Sequence, residues 1–171
     1  MGLDMYLTLQ LSTRKEDSLF FPTQEGDEKM RLSVGYWRKA NAVHKWFVNN
    51  AQGGNDDCKE YEVATADLEK LRGICEGIIT KATECGVAHE NVDFEAELPA
   101  ALQEYCASVL PSSSGFFFGG TKYDGYYLWQ ASNTLKIIDA AFLLIEHNYL
   151  YTWNENHEKQ HACKLFYQSS W

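Results

Sequence analysis

The sequence predicts an α+β fold, with one domain over residues 1–171. An antiparallel or mixed sheet of about five strands is expected, with three or four helices packed on it. Three observations predict this class: alternation of apolar and polar residues at the N-terminus, later segments with helical period, and a closing KLFYQSSW that is typical of a strand. A hydrophobic content of 45% excludes global disorder.

The first elements follow from period and turn residues. Leu3–Leu11 alternates strictly, which predicts a half-buried strand. Met30–Tyr36 predicts a second strand, antiparallel to the first. Trp37–Ala51 has helical period, and Gly53-Gly54 ends that helix.

The second half of the chain predicts three further helices and three further strands. Each helix has an apolar stripe of helical spacing, and each strand is a short apolar or alternating run between turn residues. The predicted helices are Asp67–Cys85, Ala100–Val109 and Tyr126–Glu146; the predicted strands are Tyr61–Val63, Phe116–Phe118 and Leu165–Gln168.

Charge is unevenly distributed along the chain. The formal net charge is −9, yet residues 29–55 contain no acid and include Arg38, Lys39 and Lys45. A local positive patch therefore survives in an acidic protein. The patch is too small for duplex nucleic acid, which demands many phosphate contacts. A single small anion or a nucleotide fits it better, and a merely solvated charged face is the alternative.

Two aromatic residues of the first helix stand out in different ways. His44 falls on the apolar face with Trp37, so it is either a core histidine or the floor of a pocket. Trp46 falls beside Lys39, away from the predicted buried face, and an exposed tryptophan indicates a partner.

A second informative stretch is GFFFGGTKYDGYY, residues 115–127. It is expected to run from a strand through Gly119, Gly120 and Thr121 into a helix, past Tyr123 and Asp124. Glycines let backbone amides approach a ligand, and a helix N-terminus favours an anion. The spacing is not that of a Walker A loop, so a tight turn that simply requires glycine is the alternative.

Cysteines, histidines and hydropathy indicate a cytoplasmic protein without a resident cofactor. The five cysteines are odd in number and form no CxxC pair, which predicts reduced thiols and no zinc site. His157 and His161 lie four apart, but their polar surroundings favour a solvated turn or helix end over a metal. No apolar run is long enough to cross a bilayer, so no membrane partner is expected.

The blocks MGLDMYL, YWRKAN, HKWF, GFFFGGTKYD and FYQSSW resemble a family of small uncharacterised proteins from bacteria, phages and prophages. The resemblance covers both ends and two internal blocks. It implies no particular reaction. A phage setting implies that such a protein acts by binding, either to a host protein or to a signalling nucleotide used in host defence.

Three functions follow, in order. The first is a binding protein that sequesters or senses an anionic, nucleotide-like ligand as an antagonist of host defence. In it, phosphate contacts come from Arg38 and Lys39, and the other expected contacts from Trp37, Asn41, His44, Gly119, Gly120, Thr121, Tyr123 and Asp124. The second is an inhibitor or adaptor that holds a host protein through Trp46 and Trp153. The third is an enzyme with His44 paired to Asp124 or Glu62.

The aromatic content of 14% further predicts a homodimer.

Overall fold

The computed structural model describes residues 2–12, 29–146, 151–153, 159–161 and 163–171. Its strands are β1 (Asp4–Ser12), β2 (Lys29–Arg38), β3 (Tyr61–Val63), β4 (Tyr151–Trp153), β5 (Lys159–His161) and β6 (Cys163–Ser170). Four of them form one antiparallel sheet in the order β2-β1-β6-β3, while β4 and β5 pair separately.

The helices are α1 (Asn41–Asn50), α2 (Thr65–Glu84), α3 (Ala100–Val109) and α4 (Gly125–Glu146). The predicted α+β class is therefore confirmed. Of the helices in the described part of the chain, none is long and apolar enough to cross a membrane.

The core lies between one face of the sheet and the helices. Along the N-terminal strand the odd-numbered side chains from Leu3 to Leu11 are buried, as strand alternation requires. Helix α4 crosses β2 at Gly35, where an added Cβ would lie 2.3 Å from Cγ2 of Ile137. Glycine is needed at this crossing because any side chain would push the helix off the sheet.

The predicted start of the first helix is wrong. Trp37 and Arg38 continue β2, opposite Met5 and Asp4 of β1, and α1 begins only at Asn41. The apolar spacing allowed either structure. The ladder with β1 decides it, because it places the indole of Trp37 in the core, where Nε1 donates to Oγ1 of Thr134 at 2.9 Å.

The predicted strand at Phe116–Phe118 is also wrong. This segment is a turn in which the N–H of Phe118 donates to the carbonyl of Gly115 at 3.2 Å. A strand needs a ladder, and among the described residues this run has one backbone bond to a distant segment, from the N–H of Leu3 to the carbonyl of Phe117. Phe116 is consequently 94% exposed.

The polar segment 148–162 contains strands β4 and β5, which pair antiparallel. His161 is thus in a strand and not in the solvated turn or helix end that the sequence favoured. His157 lies outside the described residues, as does the side chain of His161.

Candidate functional site

Asn41 joins the two stretches that the sequence singled out. Its buried side-chain amide donates to the carbonyls of Phe118 and Gly120, at 3.2 and 2.7 Å, and accepts from the N–H of Ser113 at 3.0 Å. The loop before α4 is thereby fastened to the first residue of α1. Because all these partners are backbone groups, Asn41 positions the loop and has little capacity left for a ligand.

A cavity of about 100 Å³ opens where the two stretches meet, and we call it the α1 cleft. One wall is residues 39–43, at the start of α1. The other wall is the first turns of α4, and Gly120, Lys122 and Asp124 close the end between them. The cleft therefore lies between the N-termini of two helices.

The two helix N-termini differ in how their N–H groups are satisfied. At α4 the N–H groups of Gly125 and Tyr126 donate to the carbonyls of Ala96 and Phe94, and Asp124 Oδ1 accepts from the N–H of Tyr127 at 3.0 Å. At α1 the N-cap position is Ala40, and no described side chain caps the helix. The first-turn N–H groups and the positive end of the helix dipole thus remain available at the cleft.

Gln130 adds an unused acceptor to the same cleft. The residue is 4% exposed, and its Nε2 donates to the carbonyl of Arg38 at 2.9 Å. That carbonyl also accepts from the hydroxyl of Tyr126. Because a carbonyl can only accept, the Gln130 side-chain amide has its nitrogen, not its oxygen, toward the backbone. Among the described residues, Oε1 of Gln130 has no hydrogen-bond partner. A buried acceptor without a partner costs about 1–3 kcal/mol of stability.

Two lysines give the cleft a positive balance. Lys39 and Lys122 line the cleft and are exposed. Asp124 is the one carboxylate among the described residues that line it. Lys39 also has φ +55, a left-handed backbone that a lysine rarely adopts. It packs against Gly119, whose own φ of +86 and close approach to the Lys39 side chain favour glycine.

Arg38 lies away from the cleft. Because strand side chains alternate, Trp37 points into the core and Arg38 points to the open face of the sheet. There Nη1 of Arg38 lies 3.1 Å from Oδ1 of Asp4, which also accepts from the hydroxyl of Tyr36. The hydrogen bond with Tyr36 and the charge of Asp4 raise the pKa of Arg38. Arg38 therefore forms an ion pair on the open sheet face and does not line the α1 cleft.

His44 belongs to a second, separate polar cluster. Its Nδ1 lies 2.7 Å from the hydroxyl of Tyr167, and its Nε2 lies 3.0 Å from Oδ2 of Asp56. Oδ1 of Asp56 accepts from Nε1 of Trp171 at 3.1 Å. The edge of the Phe118 ring covers the imidazole. The carboxylate beside His44 is thus that of Asp56. The two partners expected from sequence were Asp124 and Glu62.

An aspartate, a histidine and a hydroxyl in a row resemble a proton relay, but burial argues against catalysis here. His44 is 1% exposed, and the Tyr167 hydroxyl at the end of the row is fully buried, which raises the pKa of Tyr167 well above its ordinary value. Neither group is exposed to a substrate in this structure. The structure therefore places His44 as a core histidine.

The expected stacking and partner residues lie as follows. Trp37 is buried and leaves no ring surface for a ligand. The prediction that Trp46 is exposed is wrong, because it is 8% exposed and packs edge-on against Phe47. Helix α1 is covered on nearly every side, a burial that an apolar stripe alone does not predict. The side chain of Trp153 lies outside the described residues.

A larger groove adjoins the α1 cleft, and we call it the acidic groove. It measures about 670 Å³ and shares Lys122 and Asp124 with the cleft. The other charged residues lining it are Glu95 and Glu97, and the ring of Tyr123 forms part of its wall. Thr121 lies beside both cavities without lining either, and its carbonyl accepts from Ser112 Oγ.

Sequence analysis missed Gln130, the residue with the spare acceptor. The sequence pattern could have indicated this residue, because Gln130 lies among the apolar residues of the buried α4 face, which include Tyr127, Leu128, Ala131 and Ile138. A glutamine on an apolar helix face needs buried partners.

Within the described residues, no three histidine, cysteine, aspartate or glutamate side chains converge as a metal site requires. Comparison of the chain with protein-family models, with curated proteins and with solved structures finds no match in any of the three.

Proposed function

We propose that this protein binds a small anionic molecule, whose negatively charged head lies in the α1 cleft. The observation that carries the proposal is the uncapped N-terminus of α1, which forms a cavity wall opposite a buried glutamine with a free acceptor. The ammonium groups of Lys39 and Lys122 add charge of the right sign.

The size of the α1 cleft limits what it encloses. Pockets for whole drug-sized ligands measure about 300–1,000 Å³, and this one measures about 100 Å³. A phosphate or carboxylate group fits, and the rest of the ligand lies outside. A nucleotide-like ligand, as the sequence analysis expects, places one terminal phosphate in the cleft and its nucleoside beyond it.

The biological setting that we propose rests on the family resemblance. A cytoplasmic phage or prophage protein that binds an anionic metabolite can act by sequestering or sensing it during host defence.

We also propose that the protein forms a homodimer. Large apolar side chains stay exposed on the open sheet face and at the end of α4, among them Tyr36 and Leu143. Light scattering is expected to give twice the 19.6 kDa chain mass, and a monomer at tens of micromolar would contradict the proposal.

The test of the binding function is calorimetric titration with inorganic phosphate, acetate and nucleoside monophosphates. Lys122→Gln is expected to weaken binding about five- to tenfold, because it removes one charge from the cleft. Lys45→Gln is the matched control, since Lys45 is an exposed lysine of α1 that does not line the cleft. Equal losses in both variants would indicate a diffuse charge effect.

If no anion binds even at millimolar concentration, the cleft proposal is wrong. The adaptor function then remains, with a host protein as the partner.

A further inference from the structure

The α1 cleft offers a ligand more than positive charge. Gln130 lines the cleft, its Nε2 is held by the carbonyl of Arg38, and its buried Oε1 has no partner among the described residues. A fully ionised phosphate or carboxylate has acceptors only and leaves this oxygen unsatisfied. A hydrogen-bond donor close to the ligand's anionic head would satisfy this oxygen.

The acidic groove indicates the charge of that donor. Asp124 lies on the boundary between the groove and the cleft, and Glu95 and Glu97 line the groove further out. Against these three carboxylates the groove has one lysine, Lys122, which it shares with the cleft. The charge along the two cavities therefore changes from positive in the cleft to negative in the groove.

Asp124 has capacity for such a contact. Its Oδ1 accepts from the N–H of Tyr127, and a carboxylate has about four acceptor sites on its two oxygens. It is also half-buried, so a charge placed beside it is screened less than at a free surface.

We propose that the ligand is a small zwitterion, with an anionic head in the α1 cleft and a protonated amine directed toward Asp124 and the acidic groove. This inference rests on the proposed function and narrows its ligand class. It favours aminoalkyl phosphates and amino acids. It disfavours nucleoside di- and triphosphates, whose further phosphates would enter a groove lined by carboxylates.

Matched pairs of probes isolate the amine. Phosphoethanolamine and ethyl phosphate share a phosphate head and differ in one ammonium group, as β-alanine and propionate do for a carboxylate head. In calorimetric titrations of the wild-type protein, the amine member of the preferred pair is expected to bind about tenfold tighter. The pair with the higher affinity identifies the head group. ATP is expected to bind no tighter than AMP.

Asp124→Asn tests the residue assigned to the amine. Asparagine caps a helix as well as aspartate does, so α4 keeps its cap while the charge is lost. The preference for the amine member is expected to fall to about twofold or less, with the affinity for ethyl phosphate or propionate unchanged or higher. Glu97→Gln, which leaves the cap untouched, is expected to reduce the preference by a smaller factor and serves if Asp124→Asn does not fold.

The outcomes separate the two proposals. Equal affinity for both members of each pair overturns the zwitterion inference and leaves anion binding in place. An amine preference that survives in both carboxylate variants also overturns it. If all four probes and AMP fail to bind, the proposed function itself fails.

Discussion

The two buried polar clusters, one around His44 and one at the α1 cleft, lie on the same helix and differ in how they are satisfied. Both ring nitrogens of His44 have partners, and Tyr167 and Asp56 close the cluster. The cleft has an uncapped helix end and the unpartnered Oε1 of Gln130. A satisfied cluster stabilises a fold, whereas spare capacity beside a cavity can be used by a ligand. The histidine that attracts attention in the sequence is thus in the structural cluster.

The largest expected effect tests the structural role of His44. His44→Ala leaves the Tyr167 hydroxyl and part of the Asp56 carboxylate without partners and removes a packed ring. Unfolding free energy is expected to fall by about 2–4 kcal/mol, which lowers the melting temperature by about 5–15 °C. Differential scanning calorimetry measures this, with the neighbouring exposed Lys45→Ala as control.

Anion affinity should change less than about twofold in the folded His44→Ala protein. A variant with wild-type stability and lost binding would reverse the assignment of the two clusters.

The next effect comes from supplying α1 with its missing cap. Ala40→Asp puts a carboxylate where the ligand's anionic head is expected, and a capping residue stabilises a helix by about 0.5–2 kcal/mol. Binding of phosphate or carboxylate probes is expected to weaken at least about thirtyfold. Because Ala40 is 3% exposed, the melting temperature shows whether the gain from the cap offsets the cost of a buried carboxylate. Isothermal titration and thermal melts give the two readouts.

Ala40→Asn is the matched variant for this test, because it caps without charge and should weaken binding only a few-fold. Unchanged affinity in Ala40→Asp would show that the anion does not sit at the α1 N-terminus.

A smaller effect is expected at Lys39, which combines a left-handed backbone with a charge at the cleft. Lys39→Asn removes the charge and suits the φ of +55, since asparagine tolerates this region better than lysine. Affinity should fall about three- to tenfold with no loss of stability. The same substitution at Lys45 should leave affinity unchanged. A drop in melting temperature without a change in affinity would mean that Lys39 serves the fold alone.

The smallest effect is expected at Arg38, which the sequence placed first among phosphate contacts. Arg38→Ala removes an exposed ion pair with Asp4, and such pairs contribute about 0–1 kcal/mol. Anion affinity should change less than about twofold, because the side chain lies on the open sheet face. Titration of this variant beside Lys122→Gln compares the two directly. A tenfold loss at Arg38 would move the site from the cleft to the sheet.

Local pattern was sufficient for most of the fold. Helix α3 begins and ends at the predicted residues, and α4 begins one residue early, because apolar stripes and turn residues mark these boundaries in the chain itself. The errors fall at Trp37 and at Phe116–Phe118, where a short apolar segment suits either structure. In both places the presence or absence of a neighbouring strand decided the outcome.

For the candidate site, the sequence indicated two stretches of interest but not the positions of their side chains. Acid-poor composition drew attention to residues 29–55 and to GFFFGGTKYD. In the structure, Asn41 of the first stretch donates to the carbonyls of Phe118 and Gly120 in the second. The role of each residue depended on direction. In a strand, Trp37 and Arg38 lie on opposite faces of the sheet, and it is Lys122, not Thr121, that lines the cleft.

By itself, the sequence determined the fold class, the four helices and most of the main sheet, the alternation that makes one sheet face apolar, and the concentration of positive charge near α1. These properties follow from periods and charges that are local in the chain. Only the tertiary structure decided that α1 is uncapped beside a cavity, that Gln130 keeps a free acceptor there, and that His44 is enclosed with Tyr167 and Asp56. Each of these depends on groups far apart in sequence, whose hydrogen bonds are satisfied or left open only when the chain has folded.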